Sequence, residues 1–502
     1  MNANLYTLFA SRFPADPAAT LLETEEGSLY TYRAMADLTA RMANALEARG
    51  VRPGDRVAAQ VEKSPEALAL YLACLRAGYV YLPLNTAYQP AEIEYFLGDA
   101  TPAVFVCRPE AQADLSATAS RAGVRETLTL GHRGDGTLLA AASDASADHA
   151  PHRSRADDLA IIIYTSGTTG RSKGAMLTHG NLAANGQALS RAWAFTATDV
   201  LLHALPLFHV HGLFISTHCV LLTGARMLFL RKFDGPAVMK ALPRVSVMMG
   251  VPTYYTRLLA ESSFDREAAA HVRLFVSGSA PLLAETFHEF EARTGQRILE
   301  RYGMSEAGVI TTNPLAGERK GATVGRPLEG MEVRVADSSD RPLPAGEAGG
   351  VQIRGSSVFV GYWRMPEKTQ AEFTNDGWFR TGDVGVLDAD GYLAIVGRAK
   401  DLIITGGYNV YPKEIELELD AMPGIVESAV IGVPHADYGE AVTAIVVIRP
   451  GHAFDESSTI AALKTRLANY KIPKHIHVVN DLPRNAMGKV QKVVLRQQFG
   501  GA

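Results

Sequence analysis

Residues 164–174 read Tyr-Thr-Ser-Gly-Thr-Thr-Gly-Arg-Ser-Lys-Gly and directly follow an apolar run of strand length, Leu159-Ala-Ile-Ile-Ile163. The glycines allow consecutive backbone N–H groups to point into one hollow, while the hydroxyl side chains and Lys173 add donors and positive charge. Such clusters are more often plain polar turns, but the strand before the loop and the lysine at its end favour a phosphate-binding loop. It is not a Walker A loop, because Ser172 stands where that motif requires its second glycine. We therefore expect a nucleotide-binding loop of another family.

The whole chain has the composition of a globular protein that binds small molecules. It contains 502 residues, of which 47% are hydrophobic and 20% are charged. This length is sufficient for two or more domains of roughly 100–200 residues each. The formal net charge of −4 provides no overall basic field for nucleic acid or an anionic membrane. We expect small-molecule partners, with neither nucleic acid nor a membrane among them.

The cysteines and the apolar segments bear on the compartment. Cys74, Cys107 and Cys219 are isolated among apolar residues, which favours buried free thiols in a reducing compartment over disulfides or a zinc site. The N-terminal residues lack the pattern of a signal peptide. The apolar stretch Ala67–Leu84 is interrupted by Arg76 before it reaches membrane-spanning length. We expect a soluble cytoplasmic protein.

The order of patterns along the chain indicates the fold class. Helix and strand patterns alternate over residues 1–160, which is typical of α/β layers around largely parallel sheets. Short strands and turn residues dominate after Thr323 and predict a β-rich subdomain, and the C-terminal part reads as a compact α+β unit. We predict a large N-terminal domain over 1–397, a hinge at 398–401 and a small C-terminal domain over 402–502.

Five short motifs occur in the order that is characteristic of one superfamily. They are Tyr164-Thr-Ser-Gly-Thr-Thr-Gly170, Tyr302-Gly-Met-Ser-Glu306, Thr381-Gly-Asp383, Gly397-Arg398, and Pro483 with Gly488-Lys489. Over essentially its full length the chain resembles the adenylate-forming acyl-CoA synthetases, a superfamily that includes adenylation domains and luciferases. The resemblance implies a large α/β domain of stacked sheets with a β-rich subdomain, and a small mobile α+β domain. It also implies that a carboxylate attacks the α-phosphate of ATP to give an acyl-AMP and pyrophosphate, after which a thiol displaces AMP.

The resemblance assigns catalytic and ATP-binding roles to residues of these motifs. Lys489 would bridge the substrate carboxylate and the α-phosphate, Glu306 would hold Mg²⁺, and Lys173 is placed with them as a catalytic residue. These residue types suit the reaction, because an anion that attacks a polyanion needs positive charge and oriented donors. Taken singly, Glu306 would ordinarily be a solvated acid, and Lys489 a surface lysine. The expected ATP-binding residues are Thr165, Ser166, Gly167, Thr168, Thr169, Gly170, Gly278, Ser279, Ala280, Arg301, Tyr302, Gly303, Ser305, Asp383 and Arg398.

Other positions resemble the mobile parts of the family. Lys400 occupies the hinge about which the small domain rotates, so that one site serves two reactions. Gly406 and Gly407, next to Tyr408, resemble the stretch that lines the channel for the pantetheine arm of coenzyme A. The implied small-molecule partners are ATP with Mg²⁺, a carboxylate and coenzyme A. Because acetylation removes the charge of a lysine, a protein acetyltransferase acting on Lys489 is a further expected partner.

The substrate is expected to carry a second carboxylate. Relatives that activate amino acids have an aspartate where this chain has His209, and a long fatty acid needs an apolar tunnel. Arg257 is either a surface arginine on a helix or a fixed fork for a carboxylate. The segments around His209 and Arg257 most resemble malonyl-CoA synthetases, which also accept methylmalonate. The expected acid-binding residues are His209, Arg257, Ser277, Ser279 and Met304.

Other functions remain open at the level of sequence. An aryl or short- to medium-chain acyl-CoA ligase would differ only in the acid pocket. A stand-alone adenylation domain would load a carrier protein, although the chain carries no carrier domain. A nucleotide-binding sensor without catalysis would not need both Glu306 and Lys489. A serine hydrolase is disfavoured because Gly303-Met-Ser-Glu-Ala-Gly308 has one residue too many for a nucleophile elbow.

Overall fold

A computed structural model describes residues 2–165, 172–405, 408–435 and 439–500, except for the side chains of Tyr408 and Asn409. The strands in these ranges are β1 Thr20–Thr24, β2 Leu29–Thr31, β3 Arg56–Gln60, β4 Val80–Pro83, β5 Val104–Cys107, β6 Glu126–Thr129, β7 Leu159–Thr165, β8 Lys173–Thr178, β9 Val200–His203, β10 Arg226–Phe229, β11 Val247–Gly250, β12 Leu274–Ser277, β13 Leu299–Met304, β14 Gly308–Thr312, β15 Arg326–Pro327, β16 Met331–Ala336, β17 Ala348–Gly355, β18 Gly361–Tyr362, β19 Phe379–Leu387, β20 Leu393–Arg398, β21 Ile403–Thr405, β22 Tyr408–Val410, β23 Ile425–His435, β24 Gly439–Ile448 and β25 His475–Val479. The α-helices are α1 Leu5–Ala10, α2 Tyr32–Glu47, α3 Pro65–Ala77, α4 Pro90–Ala100, α5 Gln112–Arg121, α6 Thr137–Ser143, α7 His179–Ala192, α8 Thr217–Thr223, α9 Gly235–Ala241, α10 Pro252–Ala260, α11 Arg266–Ala269, α12 Ala284–Thr294, α13 Pro366–Glu372, α14 Pro412–Asp420, α15 Glu456–Lys464 and α16 Lys492–Phe499.

Two large sheets form the first part of the molecule. Among the described residues, one has nine strands in the order β15-β14-β13-β12-β11-β9-β10-β1-β2, and the other has seven in the order β18-β8-β7-β4-β3-β5-β6. Both are parallel through their centres; the nine-stranded sheet is antiparallel at both ends, and the seven-stranded sheet is antiparallel only at its β18-β8-β7 end. The predicted α/β fold with largely parallel sheets is therefore confirmed.

Helix α3 shows why a strongly apolar segment of this chain lies in the core. Ser64 caps its N-terminus, Pro65 occupies the first turn, and Gly78 ends it in the left-handed conformation. Every residue of the helix except Arg76 is buried, as expected for a helix that is hydrophobic all round. No helix among the described residues combines the length and apolar character that crossing a membrane requires.

The β-rich subdomain is an antiparallel sheet in the order β16-β17-β19-β20. Its last hairpin turns at Asp388–Gly391, as the sequence predicts, and its register places Asp383 opposite Arg398. Two motifs that are separated in the sequence therefore meet as cross-strand neighbours.

The C-terminal part contains a separate sheet in the order β22-β21-β24-β23, with β25 paired to β24. The sequence predicts a helix over Thr459–Asn469, but α15 spans Glu456–Lys464. The helix begins three residues earlier than predicted because the Asp455 side chain caps its N-terminus. A separate short 3₁₀ turn follows at Asn469–Lys471. This small domain packs on the large one, since Met487 is buried in the main hydrophobic cluster of the large domain.

Candidate active site

A buried aspartate marks one corner of the site. Asp383 is 3% exposed, and its Oδ1 lies 2.8 Å from Nε of Arg398. The Tyr302 hydroxyl donates to Asp383 Oδ2 at 2.5 Å. Burial and the neighbouring carboxylate hold the pKa of Tyr302 well above its usual value. Three expected ATP-binding residues thus form one hydrogen-bonded group, with a fixed carboxylate beside an aromatic ring.

Lys489 approaches this corner from the small domain. Burial lowers the pKa of its ammonium group to about 8, and the positive charges of Arg398 and Lys400 act in the same direction. The carboxylates of Asp383 and Asp401 partly offset this effect. The structure therefore brings the expected catalytic lysine into the electrostatic environment of Asp383 and Arg398.

Glu306 forms a second corner, in the turn between β13 and β14. It is 6% exposed, and its Oε1 accepts hydrogen bonds from the Tyr362 hydroxyl at 3.0 Å and from Thr165 Oγ1 at 3.5 Å. Burial raises the pKa of the Glu306 carboxyl. This burial excludes the alternative of a solvated acid, and among the described residues Glu306 has no ion-pair partner.

The donors around Glu306 fit a magnesium ion that is held mainly by phosphates. Mg²⁺ typically takes one or two carboxylates together with substrate phosphates and water. Within the described ranges, no group of three or more His, Cys, Asp or Glu side chains converges to hold a metal. A single buried carboxylate in contact with Thr165, the first hydroxyl residue of the expected phosphate-binding loop, fits this pattern.

Lys173 lies at the end of the phosphate loop, as the first residue of β8. It is 8% exposed, with its Nζ 4.2 Å from the ring centroid of Tyr362 and 3.6 Å from Oε1 of Glu372. Tyr362 thus contacts both Lys173 and Glu306, a role that the sequence reasoning missed although Gly361-Tyr-Trp363 places two adjacent aromatic residues after a glycine. The predicted loop residues Ser166, Gly167, Thr168, Thr169 and Gly170 lie outside the described residues.

Arg301 is the most unusual side chain in the region. It is 3% exposed, it has no acidic partner among the described residues, and its Nε and Nη2 lack hydrogen-bond acceptors there. A Cβ atom on Gly278 would lie 2.4 Å from Arg301 Nε, so only glycine leaves room for the guanidinium. Burial lowers the pKa of Arg301 to about 10, and the group stays charged at neutral pH.

Two histidines and two serines lie close to Arg301. Burial and the Arg301 charge lower the pKa of His209 to about 3 and that of His211 well below its usual value. Both imidazoles are therefore neutral. Ser279 Oγ lies 3.3 Å from His211 Nδ1, while His211 Nε2 and Ser277 Oγ are buried without a partner among the described residues. Two unpartnered polar groups therefore lie near one buried cation.

The structure groups Arg301 with a different set of residues from the one that the sequence predicts. Arg301 was expected among the ATP-binding residues, but its side chain lies among the expected acid-binding residues His209, Ser277 and Ser279. The available signal was the charged pair Glu300-Arg301 directly after Ile298-Leu299, where an apolar strand would otherwise continue. His211, which was not predicted as a site residue, belongs to the same group.

Arg257 lies in a different environment. Its side chain is exposed on α10, with the guanidinium carbon 6.0 Å from the ring centroid of Phe233. It has no acidic partner in the part of the chain that the structure describes, and the structure shows no contact between it and the group around Arg301. On the same helix, Thr253 lies against Gly488 of the small domain.

The other predicted positions fall near these groups. Gly303 and Met304 end β13, Ser305 lies in the turn before Glu306, and Ala280 follows β12. Lys400 is exposed in a short 3₁₀ turn, Ala399–Asp401, between the β-rich subdomain and the small domain. The expected coenzyme A residues Gly406 and Gly407 lie outside the described residues, as does the side chain of Tyr408.

Known proteins match this chain over most of its length. The sequence profile of the AMP-binding enzyme family matches residues 8–363, and that of the AMP-binding enzyme C-terminal domain matches residues 414–489. A feruloyl-CoA synthase from Amycolatopsis sp is 38% identical over 479 residues, which cover 94% of this chain and 95% of that protein. A malonate–CoA ligase from Arabidopsis thaliana is 35% identical over 485 residues, which cover 90% of this chain and 79% of that protein.

Solved structures agree with these matches. ATP-bound MatB from Rhodopseudomonas palustris is 52% identical, with a TM-score of 0.97 and coverage of 100% of this chain and 99% of that chain. The apo form of MatB gives a TM-score of 0.87 over the same coverage. The chain therefore belongs to the AMP-binding enzyme family.

Proposed function

We propose that this AMP-forming acid–CoA ligase activates malonate, and methylmalonate with it, as an acyl-AMP and then forms the CoA thioester. The observation that carries the proposal is the buried guanidinium of Arg301, which lacks an acidic partner among the described residues. An uncompensated buried charge is costly, and an anionic ligand would remove that cost. A dicarboxylate supplies one carboxylate for the reaction and a second one for Arg301.

The donors around Arg301 suit a carboxylate. A guanidinium presents a planar fork that binds two carboxylate oxygens at once. The buried Ser277 hydroxyl and the unpartnered Nε2 of His211 add neutral donors at the same place. Gly278, which is an expected ATP-binding residue, lies directly against the Arg301 guanidinium, so the acid pocket would adjoin the nucleotide site. This proximity favours a short acid.

The comparisons support two candidate substrates. The relative from Arabidopsis thaliana is a malonate–CoA ligase, and the relative from Amycolatopsis sp is a feruloyl-CoA synthase. An aryl acid has no second carboxylate and would leave the buried Arg301 charge unpaired. The electrostatics of the pocket therefore favour malonate over an aryl or short- to medium-chain monocarboxylate.

The remaining site residues take the following roles in the proposal. Asp383 accepts hydrogen bonds from the ribose hydroxyls, Tyr302 packs on the adenine, and the loop at Thr165–Gly170 holds the β- and γ-phosphates. Glu306 holds Mg²⁺, which supplies positive charge to the phosphates when it is bound. Lys489 lies between the malonate carboxylate and the α-phosphate and reduces their mutual repulsion. A carboxylate oxygen forms the new bond to the α-phosphorus as pyrophosphate leaves.

The second half-reaction needs a different domain orientation. We assign the pivot to Lys400, between a large domain over 1–397 and a small domain over 402–502. Rotation would remove Lys489 from the site and bring Gly406, Gly407 and Tyr408 to the path of the pantetheine arm. The CoA thiol then attacks the acyl carbonyl, AMP leaves, and the thiol proton passes to solvent.

Lys489 is also the proposed target of a protein acetyltransferase. Its pKa of about 8 leaves more of the amine neutral at physiological pH than in an ordinary lysine, whose pKa is about 10.4. The neutral amine is the nucleophilic form, and acetylation removes the charge that the first half-reaction uses. Modification at this position would therefore stop adenylation.

A comparison of acids tests the substrate assignment. CoA-thioester formation is measured with malonate, methylmalonate, acetate, ferulate and a fatty acid under one set of conditions. We expect kcat/KM for malonate to exceed that for acetate by roughly 100-fold or more, since charged hydrogen bonds contribute about 1.5–3 kcal/mol each. Preference for ferulate or acetate would contradict the proposal. Acyl transfer only to a carrier protein would identify a stand-alone adenylation domain instead.

The pH dependence of adenylation should follow the charge of Lys489. Because its pKa is lowered to about 8, the protonated fraction falls as the pH rises through that value. We expect kcat/KM of malonate-dependent ATP–pyrophosphate exchange to fall about tenfold per pH unit above this point. Lys489→Arg is the matched control, because it keeps its charge and should lose this decline. An unchanged decline in that variant would assign the titration to another group.

A further inference from the structure

The turn that carries Lys489 is held by the side chain of Asn485. Asn485 Oδ1 accepts hydrogen bonds from the backbone N–H groups of Met487 at 3.0 Å and Lys489 at 3.1 Å. The Asn485 N–H in turn donates to the Lys489 carbonyl at 3.0 Å. Gly488 has φ +72, and a Cβ atom there would lie 3.1 Å from Thr253 Oγ1 of the large domain. The turn is therefore tight and lies close against the large domain.

Arg484 holds the same turn from its other side. Its Nη1 donates to the carbonyl oxygen of Gly488 at 2.6 Å, and its Nη2 forms an ion pair with Glu427 on β23. The side chains of Arg484 and Glu427 are 26% and 16% exposed, so the pair is largely shielded from water. The guanidinium thus joins a strand of the small domain to the turn.

These contacts converge on a single peptide group. The Gly488 carbonyl and the Lys489 N–H belong to the same planar unit. Arg484 binds the oxygen of this unit, and Asn485 binds its N–H. A peptide that follows a glycine rotates easily because glycine accepts many backbone conformations. With both ends held, the peptide plane from which the Lys489 side chain departs has one orientation.

We propose that Arg484, anchored by Glu427, is a positioning residue for the ammonium group of Lys489 in the adenylation step. The inference rests on the proposed function, because it takes Lys489 as the lysine that bridges carboxylate and α-phosphate. A lysine has a flexible four-carbon stem, so its charge is placed accurately only where its backbone is fixed. Arginine suits the role because its fork reaches two acceptors at once.

The test compares the two half-reactions in Arg484→Met. We expect malonate-dependent ATP–pyrophosphate exchange to fall roughly 10- to 100-fold, the cost of a catalytic group that is misplaced by about 1 Å. Thioester formation from supplied malonyl-AMP should stay within about twofold, because that step does not use Lys489. The matched control is Arg466→Met, which removes the Arg466–Glu418 ion pair of the same domain without touching the turn. It should leave both half-reactions unchanged.

A double variant separates positioning from other roles. If Arg484 acts only through Lys489, adding Arg484→Met to Lys489→Ala should lower the residual exchange rate by less than about twofold. Multiplied losses, or equal losses in both half-reactions of the single variant, would overturn the proposal. Should Arg484→Met fail to fold, Arg484→Lys replaces it, since its ammonium keeps a charge for Glu427 but lacks the fork. Full exchange activity in Arg484→Lys would also overturn the proposal.

The ATP–pyrophosphate exchange assay also distinguishes a failure of the Arg484 proposal from a failure of the substrate assignment. Wild-type exchange that requires an acid other than malonate would refute malonate as the substrate. The Arg484 comparison would then be made with that acid and its adenylate, and the same outcomes would decide it.

Discussion

Lys489→Ala is expected to lower malonate-dependent ATP–pyrophosphate exchange by roughly 100-fold or more, the loss typical of removing a group that stabilises transition-state charge. Lys489 lies in the electrostatic environment of Asp383 and Arg398. In the proposed function its ammonium group lies between the substrate carboxylate and the triphosphate, which would otherwise repel each other. Without it, both reactants still bind, but the approach of the two anions is unfavourable.

The second half-reaction of the same variant provides the control. Thioester formation from supplied malonyl-AMP and CoA should keep most of its wild-type rate, because the proposed rotation of the small domain would remove Lys489 from the site. Release of pyrophosphate and formation of malonyl-CoA are measured separately. Equal loss in the two half-reactions would refute the assigned role and indicate a general effect on structure.

Arg301→Met should have the largest effect on the choice of acid. The variant would leave the second malonate carboxylate buried and unpaired, which typically costs 3–5 kcal/mol. At about 1.4 kcal/mol per factor of ten, kcat/KM for malonate should fall roughly 100- to 4,000-fold. Activity with acetate should stay the same or rise, since the pocket no longer contains an unpaired charge.

The thermal stability of Arg301→Met distinguishes recognition from folding. Replacing a buried charge by an apolar side chain of similar volume is often neutral or stabilising, so the melting temperature should not fall.

Arg257→Ala is the matched variant at the exposed arginine. Contact between Arg257 and malonate would make that substitution cost about 1.5–3 kcal/mol in malonate recognition. Unchanged malonate kinetics in Arg301→Met would move the substrate assignment to a monocarboxylate.

Local sequence patterns predicted the secondary structure well where the signal lies within a few neighbouring residues. The sequence predicts a helix over Pro252–Ala260 and a hairpin turn at Asp388–Gly391, and the structure has α10 over the same span and that turn between β19 and β20. Helix α15 differed because its Asp455 cap lies outside the predicted span. Capping and turn formation depend on side chains close in sequence, so such features are readable before any tertiary contact is known.

The family was also accessible from sequence, because its motifs keep their order along the chain. The structure brings Tyr302, Asp383 and Arg398 of three of these motifs together, while their roles toward ATP stay a prediction. The contacts of Tyr362 were not accessible, since nothing in its neighbouring residues links it to Glu306 or Lys173.

The sequence by itself therefore determined the α/β class, the family and most of the residues placed at the nucleotide corner. Only the tertiary structure decided that Arg301 is a buried cation beside His209, His211 and Ser277, and that Lys489 lies near Asp383. Successive side chains of a strand point to opposite faces, and the sequence does not state what covers each face. Desolvation and charge pairing are set by groups that are distant in sequence. These two effects determine which arginine is buried without an acidic partner and could therefore bind a substrate carboxylate.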